Sequence, residues 1–495
     1  MKKTTKSLII AIASVVVLVG AFLAVYYLVP DAEEDSETSS DSVSSEEADH
    51  YHLISLSTSD IKQIDVENED GKYTLLAKAG DVESGSEVSL DSTDNNVYTL
   101  VGYEKLALIE DKPQMLAEDA TSVTATKIVN DGSNKSDFGF DNPRAVVTVT
   151  LNSGDKRTIT LGDDAPDSKG AYIMVDGDEK IYLTDSDSID GFLVSEMGML
   201  SVDIGTSISD NSEEKFTKMI FSGTNFDNKE VVFDYNTSDA YTETYVITSP
   251  DKTVANEDTA TYVISNVRYL AAERVAAVDP DEKALKEYGL DEPFITVNAE
   301  YSDLKVDYKA SKPEDGLFYL LSNNIVYEMD ETAVPWISYT YDDLIPSDIL
   351  APKYDSVDKI TVDAGGKQYV FDLNRTSQTV RDDNEDTDIE TFTLDVKCNG
   401  KSLDENIFST FYNNLTSAKR SGLNDVDSSK KAVLTVTYEF SDGTSAKAEY
   451  FEGENRKCPV LINGSIGSTA FESYVTKITE DVANVANGES IKSIS

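Results

Sequence analysis

Two segments of the chain, Phe138-Gly139-Phe140-Asp141-Asn142-Pro143 and Tyr288-Gly289-Leu290-Asp291-Glu292-Pro293, repeat the same order of aromatic, glycine, apolar residue, aspartate and proline. Each runs straight into an alternating strand, Ala145-Val146-Val147-Thr148-Val149-Thr150 in one and Phe294-Ile295-Thr296-Val297-Asn298-Ala299 in the other. A reduced third copy reads Gly422-Leu423-Asn424, followed by Ala432-Val433-Leu434-Thr435-Val436-Thr437-Tyr438. Self-similarity of this kind constrains the fold more than any local propensity, because each copy must build the same supersecondary unit.

The echo extends both ways. Upstream, each copy opens on two short strands that read as a hairpin: Ile61 to Val66 with Tyr73 to Ala77, Phe216 to Phe221 with Glu230 to Tyr235, and Val357 to Val362 with Gln368 to Leu373. A helix is expected next. In the third copy Asp404 is its cap, and Ile407, Phe408, Phe411, Tyr412 and Leu415 make an apolar stripe at helical spacing. Downstream, Tyr172 to Val175 with Ile181 to Leu183 matches Phe318 to Leu321 with Ile325 to Tyr327, and short amphipathic segments around Phe192-Leu193 and Trp336-Ile337 close the first two copies. Three units are expected, 51–207, 208–347 and a degenerate 348–495, with loops around Asp210 and Pro352 as hinges. The fold class is α+β: tandem repeats of mostly antiparallel sheet with helices packed on a face.

The shared glycine–proline motif has a structural cause. Asp279-Pro280 is expected to start a short helix, with aspartate as cap and proline in the first turn. Gly289 then supplies the left-handed residue that ends it, and Leu290 packs back on the last turn. Asp291 and Pro293 turn the chain into the next strand. The motif shapes backbone.

These residues, with Leu161-Gly162, Ala165-Pro166, Tyr172 and Tyr182, resemble the bacterial "domain of unknown function 4340" family over about Ile54 to Ile349. The third copy lacks the proline and the preceding tyrosine. The resemblance implies an N-terminally anchored envelope protein, often encoded beside ABC-transporter components; it implies no reaction and no active-site residues.

The N-terminus fits that expectation. Lys2, Lys3 and Lys6 precede an apolar run from Ser7 to Val29. As a helix it spans about 35 Å, enough for a hydrocarbon core of about 30 Å. Residues 1–30 therefore read as one transmembrane helix with its lysines cytoplasmic. The run is too long for a signal-peptide core and ends in Tyr-Tyr-Leu-Val-Pro rather than a small-x-small site. Residues 31–50, almost wholly Asp, Glu, Ser, Thr and Ala up to Asp49, read as an acidic disordered stalk. The bulk of the chain is expected outside the cell.

Charge excludes other classes. With 92 Asp plus Glu against 42 Lys plus Arg, a net charge of −50, the surface repels nucleic acid and anionic lipid. The acidic run Asp382-Asp383-Asn384-Glu385-Asp386 lacks the spacing of a calcium loop, so no metal ligands are assigned. The only histidines, His50 and His52, stand where stalk meets first strand, so the lobes hold no Ser-His-Asp triad, Cys-His pair or HExxH. No phosphate loop follows a strand; Gly365-Gly366-Lys367 reads as a hairpin turn. Cys398 and Cys458, the only cysteines, fit either a disulfide closing about 60 residues or two buried thiols. Trp336, the one tryptophan, matches Phe192 and reads as core. No catalytic, cofactor or metal residues are assigned, and no cofactor is expected.

The expected role is a non-catalytic, membrane-anchored extracytoplasmic scaffold or binding protein, accessory to an ABC-type transport system or bound to a cell-wall polymer. Two other classes are carried: a surface glycoside hydrolase using paired carboxylates, and a calcium-dependent adhesive module.

Overall fold

The structure, a computed structural model, describes residues 51–79, 96–131, 134–166, 170–206, 215–382 and 387–494. The anchor and stalk, the expected hinge at Asp210 and the acidic residues 383–386 lie outside the described residues. Within them no helix is long and apolar enough to cross a membrane.

Three large sheets carry the described fold, and neighbouring strands in each are antiparallel. Across the first lie Asn96–Leu100, Gly71–Ala79, Ile61–Asn68, Ala145–Leu151, Lys156–Asp164, Ala171–Val175, Ile181–Thr184 and Lys127–Asn130. Across the second lie Thr253–Val254, Tyr245–Ser249, Val231–Tyr235, Lys218–Ser222, Ile295–Glu300, Lys305–Ala310, Leu317–Ser322, Ile325–Asp330 and Arg274–Val278. The third runs Lys401–Leu403, Thr387–Cys398, Lys367–Asp382, Val357–Ala364, Leu434–Phe440, Ser445–Tyr450, Lys457–Ile462 and Ile466–Phe471.

One topology recurs. A meander builds outward from the first hairpin strand, a helix crosses over, and the chain returns to pair with the other edge of that same first strand. The closing contacts are equivalent: Val66 opposite Val147, Phe221 opposite Val297, Val362 opposite Val436. Period-two burial explains the choice of strand. Ala145, Val147 and Val149 are buried with half-buried residues between them, and Leu434, Val436 and Tyr438 repeat the pattern. The helices Lys112–Thr121, Glu257–Ser265 and Glu405–Thr416 follow the outgoing meanders. Asp404 caps the third as expected, its Oδ1 accepting from the amides of Asn406 and Ile407 at 2.9 and 3.3 Å. The expected α+β class holds as mostly antiparallel sheets with few helices.

A further shared element escaped the sequence reading. Each lobe is entered by a short lead-in segment that pairs antiparallel with the residues just after that lobe's helix. Tyr51–Ser55 pairs with Ser122–Ala125, and Asp203–Gly205 with Tyr269–Ala271. In the third lobe Asp348 bridges Lys419, while Ile349 donates to the Ala418 carbonyl at 2.9 Å and Arg420 to that of Ser347 at 2.8 Å. Hydrogen bonding therefore places residues 203–205 with the second lobe, ahead of the 208 boundary. Three residues are too few to show strand alternation, so the comparison of the repeats alone puts them in the first unit. Pro352, expected in a hinge loop, is buried and tied on both sides: its carbonyl accepts from the Tyr412 hydroxyl at 2.7 Å, and the next amide, Lys353, donates to Ala240 at 2.9 Å.

The glycine–proline corner of the second lobe is a stop-and-turn device with one correction. Asp279 has φ +49° and stands outside the helix; the cap is Asp281, which accepts from Ala284 N–H at 2.8 Å and starts Glu282–Glu287. Gly289, at φ +69°, ends that helix. Its amide bonds Lys286 at 3.1 Å and that of Leu290 bonds Leu285 at 2.8 Å, the paired bonds of a Schellman motif. The third copy departs further. Leu423 bridges Ser468, the place held in the other lobes by the outermost strands Lys127–Asn130 and Arg274–Val278. Its turn into the next strand is made instead at Asp427, which accepts from the Ser429 amide and hydroxyl.

Candidate functional site

The residues singled out from sequence are dispersed. His52 is exposed on the first lead-in strand, in a shallow recess with Arg157, Asp176, Asp178 and Tyr182; His50 lies outside the described residues. Among the described residues no group of three or more potential metal ligands comes together. Trp336 is buried, donates from its indole to the Asn266 carbonyl at 3.1 Å, and lies parallel to Tyr308 at 6.3 Å. Phe192 is likewise fully buried. Gly365 and Gly366, at φ +58° and +76°, form the two-residue turn expected of them. Cys398 and Cys458 are free, buried thiols, which decides between the two readings of the pair. They sit on strands separated by four others in the third sheet. Burial pushes the Cys398 thiol up to about 11.

A cavity walled by three segments lies where the second and third lobes meet. It measures about 560 Å³. One wall is the loop and edge of the second sheet from Asn236 to Val254, the floor is the linker from Pro346 to Ala351, and the other wall is two turns of the third sheet, near Thr444 and Gly464. Volumes of this order suit small ligands or short chain segments, and clefts between domains are their usual place.

Local sequence shapes both walls. Asn236 folds the loop by accepting from the Ser238 amide at 2.9 Å and donating to the Glu243 carbonyl at 2.8 Å. Asp442 does the same in the facing turn, accepting from the Thr444 amide at 2.8 Å and hydroxyl at 2.6 Å. The Ser238 hydroxyl crosses the gap to Asp442 Oδ2 at 2.8 Å, and Tyr241 meets Phe440 edge to face at 5.8 Å. Donors from Thr444, then Ser238, hold the Asp442 carboxyl below the usual carboxylate range. Burial pushes the Tyr241 hydroxyl well up, and the Glu243 carboxylate adds to this.

The cleft's ionic groups are unequally engaged. Asp348 is paired with Lys419, and Lys447 with Glu449 at 2.9 Å. Glu243 lines the cleft with its Oε2 buried and without a hydrogen-bond partner. Lys252 is exposed and makes no ion pair among the described residues. The lining holds neither histidine nor cysteine, and Ser238 donates to a structural carboxylate. Sequence reasoning missed the cleft because its walls come from segments far apart in the chain; only the Asn-x-Ser and Asp-x-Thr turns left a local trace.

No curated protein and no solved structure matches the chain. A model of the family described as "Domain of unknown function (DUF4340)" matches residues 99–201 and 246–436. Its reach to residue 436, at the start of strand Leu434–Phe440, carries the likeness further into the third lobe than the corner motif alone suggested. The repeated topology and this match together lead to one conclusion: the chain belongs to the DUF4340 family.

Proposed function

We propose that the chain is a non-catalytic, membrane-anchored extracytoplasmic binding protein, a tethered scaffold accessory to an ABC-type transport system or to another envelope assembly. The observation that carries the reading is the serial docking of lobes. Each lead-in segment pairs with residues just after the helix of the lobe it enters, so three similar lobes follow one another with a ligand-sized cleft at the second junction. Repeated units of this kind suit spacing and presentation of a surface. The apolar run 7–29 behind three lysines supplies the tether, and the net charge of −50 keeps the lobes off anionic lipid.

The test is crosslinking of the intact protein in its own membrane, followed by mass spectrometry of the adducts and a carbonate wash of the same membranes. Adducts to an integral permease or to a wall polymer are the expected result, with the protein resisting the wash. Release by carbonate alone overturns the tether, and adducts restricted to second copies of the chain overturn the accessory role.

A further inference from the structure

We propose that the cleft between the second and third lobes seats an extended peptide of about five residues, added as a strand beside Thr253–Val254, with a basic side chain against Glu243. The inference deepens the binding-protein reading and rests on it.

Thr253–Val254 is the terminal strand of the nine-stranded second sheet, and both residues line the cleft. Val254 stands opposite Val246 and Thr253 opposite Ile247, while Ala255 donates back to the Tyr245 carbonyl at 2.9 Å. In an antiparallel ladder alternate residues face alternate sides, so Thr253 and Ala255 bond inward and Val254 directs its N–H and C=O outward. An outward edge beside a cleft is the template for strand addition. Val246, Val254, Ile349, Leu350 and Ala446 line the same cleft and offer apolar contacts to alternate side chains of a guest.

The two poles of the cleft choose the guest's charge. Glu243 lies three residues before Val246, and Lys252 two before Val254 on the antiparallel partner. Along the strand axis they are about five steps of about 3.3 Å apart, roughly 16 Å, the length of a five-residue extended segment. A buried carboxylate oxygen with no donor is costly, and an ammonium or guanidinium would supply a charge-assisted bond. At the other end Lys252 is free to meet an acidic side chain or a terminal carboxylate. A second copy of this acidic chain is disfavoured by its own charge.

The experiment uses the full chain in mild detergent with two fluorescent pentapeptide pools. Both draw their three central positions from Val, Ile, Thr, Ala and Ser; one is flanked by Lys and Glu, the other by Glu at both ends. Anisotropy is expected to show the Lys-flanked pool binding at least about ten-fold tighter. Glu243→Gln should reduce that preference below about three-fold with an unchanged melting curve, and the bound pool should slow hydrogen exchange at the Val254 amide. Absence of binding by either pool at millimolar concentration overturns the proposal, as does an unchanged preference in Glu243→Gln. A β-1,4-linked oligosaccharide that protects Val254 where the peptides do not also overturns it, in favour of a glycan site. Membrane crosslinking to a permease combined with failure here would leave the scaffold reading intact and remove only the peptide.

Discussion

Arg420 offers the sharpest test of how the third lobe is held to its lead-in segment. Its side chain is 6% exposed. The guanidinium donates to the carbonyls of Asp342 at 2.7 Å, Ile345 at 2.8 Å and Pro346, and it pairs with the Asp342 carboxylate. These carbonyls lie in and just beyond the short helix Tyr341–Leu344, where backbone acceptors lack helical partners, so the arginine serves as a cap from another lobe. Arg420→Ala would strand three acceptors at once. Each bond to a charged donor contributes about 1.5–3 kcal/mol, part of which water recovers after truncation. The carboxylate pair adds little, because Asp342 is 42% exposed and screened. A net loss of about 3 kcal/mol follows for local opening of the junction. Hydrogen exchange reads it directly: the Ile349 amide, bonded to Ala418, should exchange on the order of 100-fold faster. Strand Leu434–Phe440 should keep its protection. Arg420→Lys keeps the charge without the planar fork and should restore less than half of the loss. If Ile349 exchanges within about three-fold of the parent rate in Arg420→Ala, the junction is held by something other than this cap.

Two further outcomes are expected. Asp404→Ala removes a cap with two amide bonds and should lower the stability of the third lobe by about 1 kcal/mol, measured as a shift in its urea midpoint, with Asp404→Asn close to the parent. Cys398 and Cys458 should resist a thiol reagent at pH 8 in the native protein and titrate as two thiols in guanidinium, with identical mobility on reducing and non-reducing gels; burial raises both thiols, so neither is a thiolate at that pH.

The composition of the Asp-x-Thr and Asn-x-Ser turns was visible in sequence, yet their facing across a cleft was not. The Leu290 corner could be read from residue types alone because a helix stop is local chemistry: a left-handed glycine, an apolar residue after it, a proline further on. The same reasoning placed a cap at Asp279 and missed by two residues. Either aspartate satisfies the local pattern, and only the backbone path shows that Asp281 has the extended conformation from which a side chain reaches Ala284. Gly422-Leu423-Asn424 misled for a related reason. Glycine and leucine suit both a helix stop and a short edge pairing, and contact with Ser468 decides for pairing.

By itself, then, the sequence determined three similar lobes of antiparallel strands, their hairpins, the Asp404 cap and the Gly289 stop, and a strongly acidic surface, because period-two burial and turn chemistry act over a few residues. Tertiary structure alone decided the lead-in pairings, the interlobe guanidinium cap and the cleft with its unpartnered Glu243 oxygen. Those depend on groups distant in the chain meeting in space, from Tyr269 and Asp203, 66 positions apart, to Ser238 and Asp442, 204 apart, and such meetings leave no periodic trace in the chain.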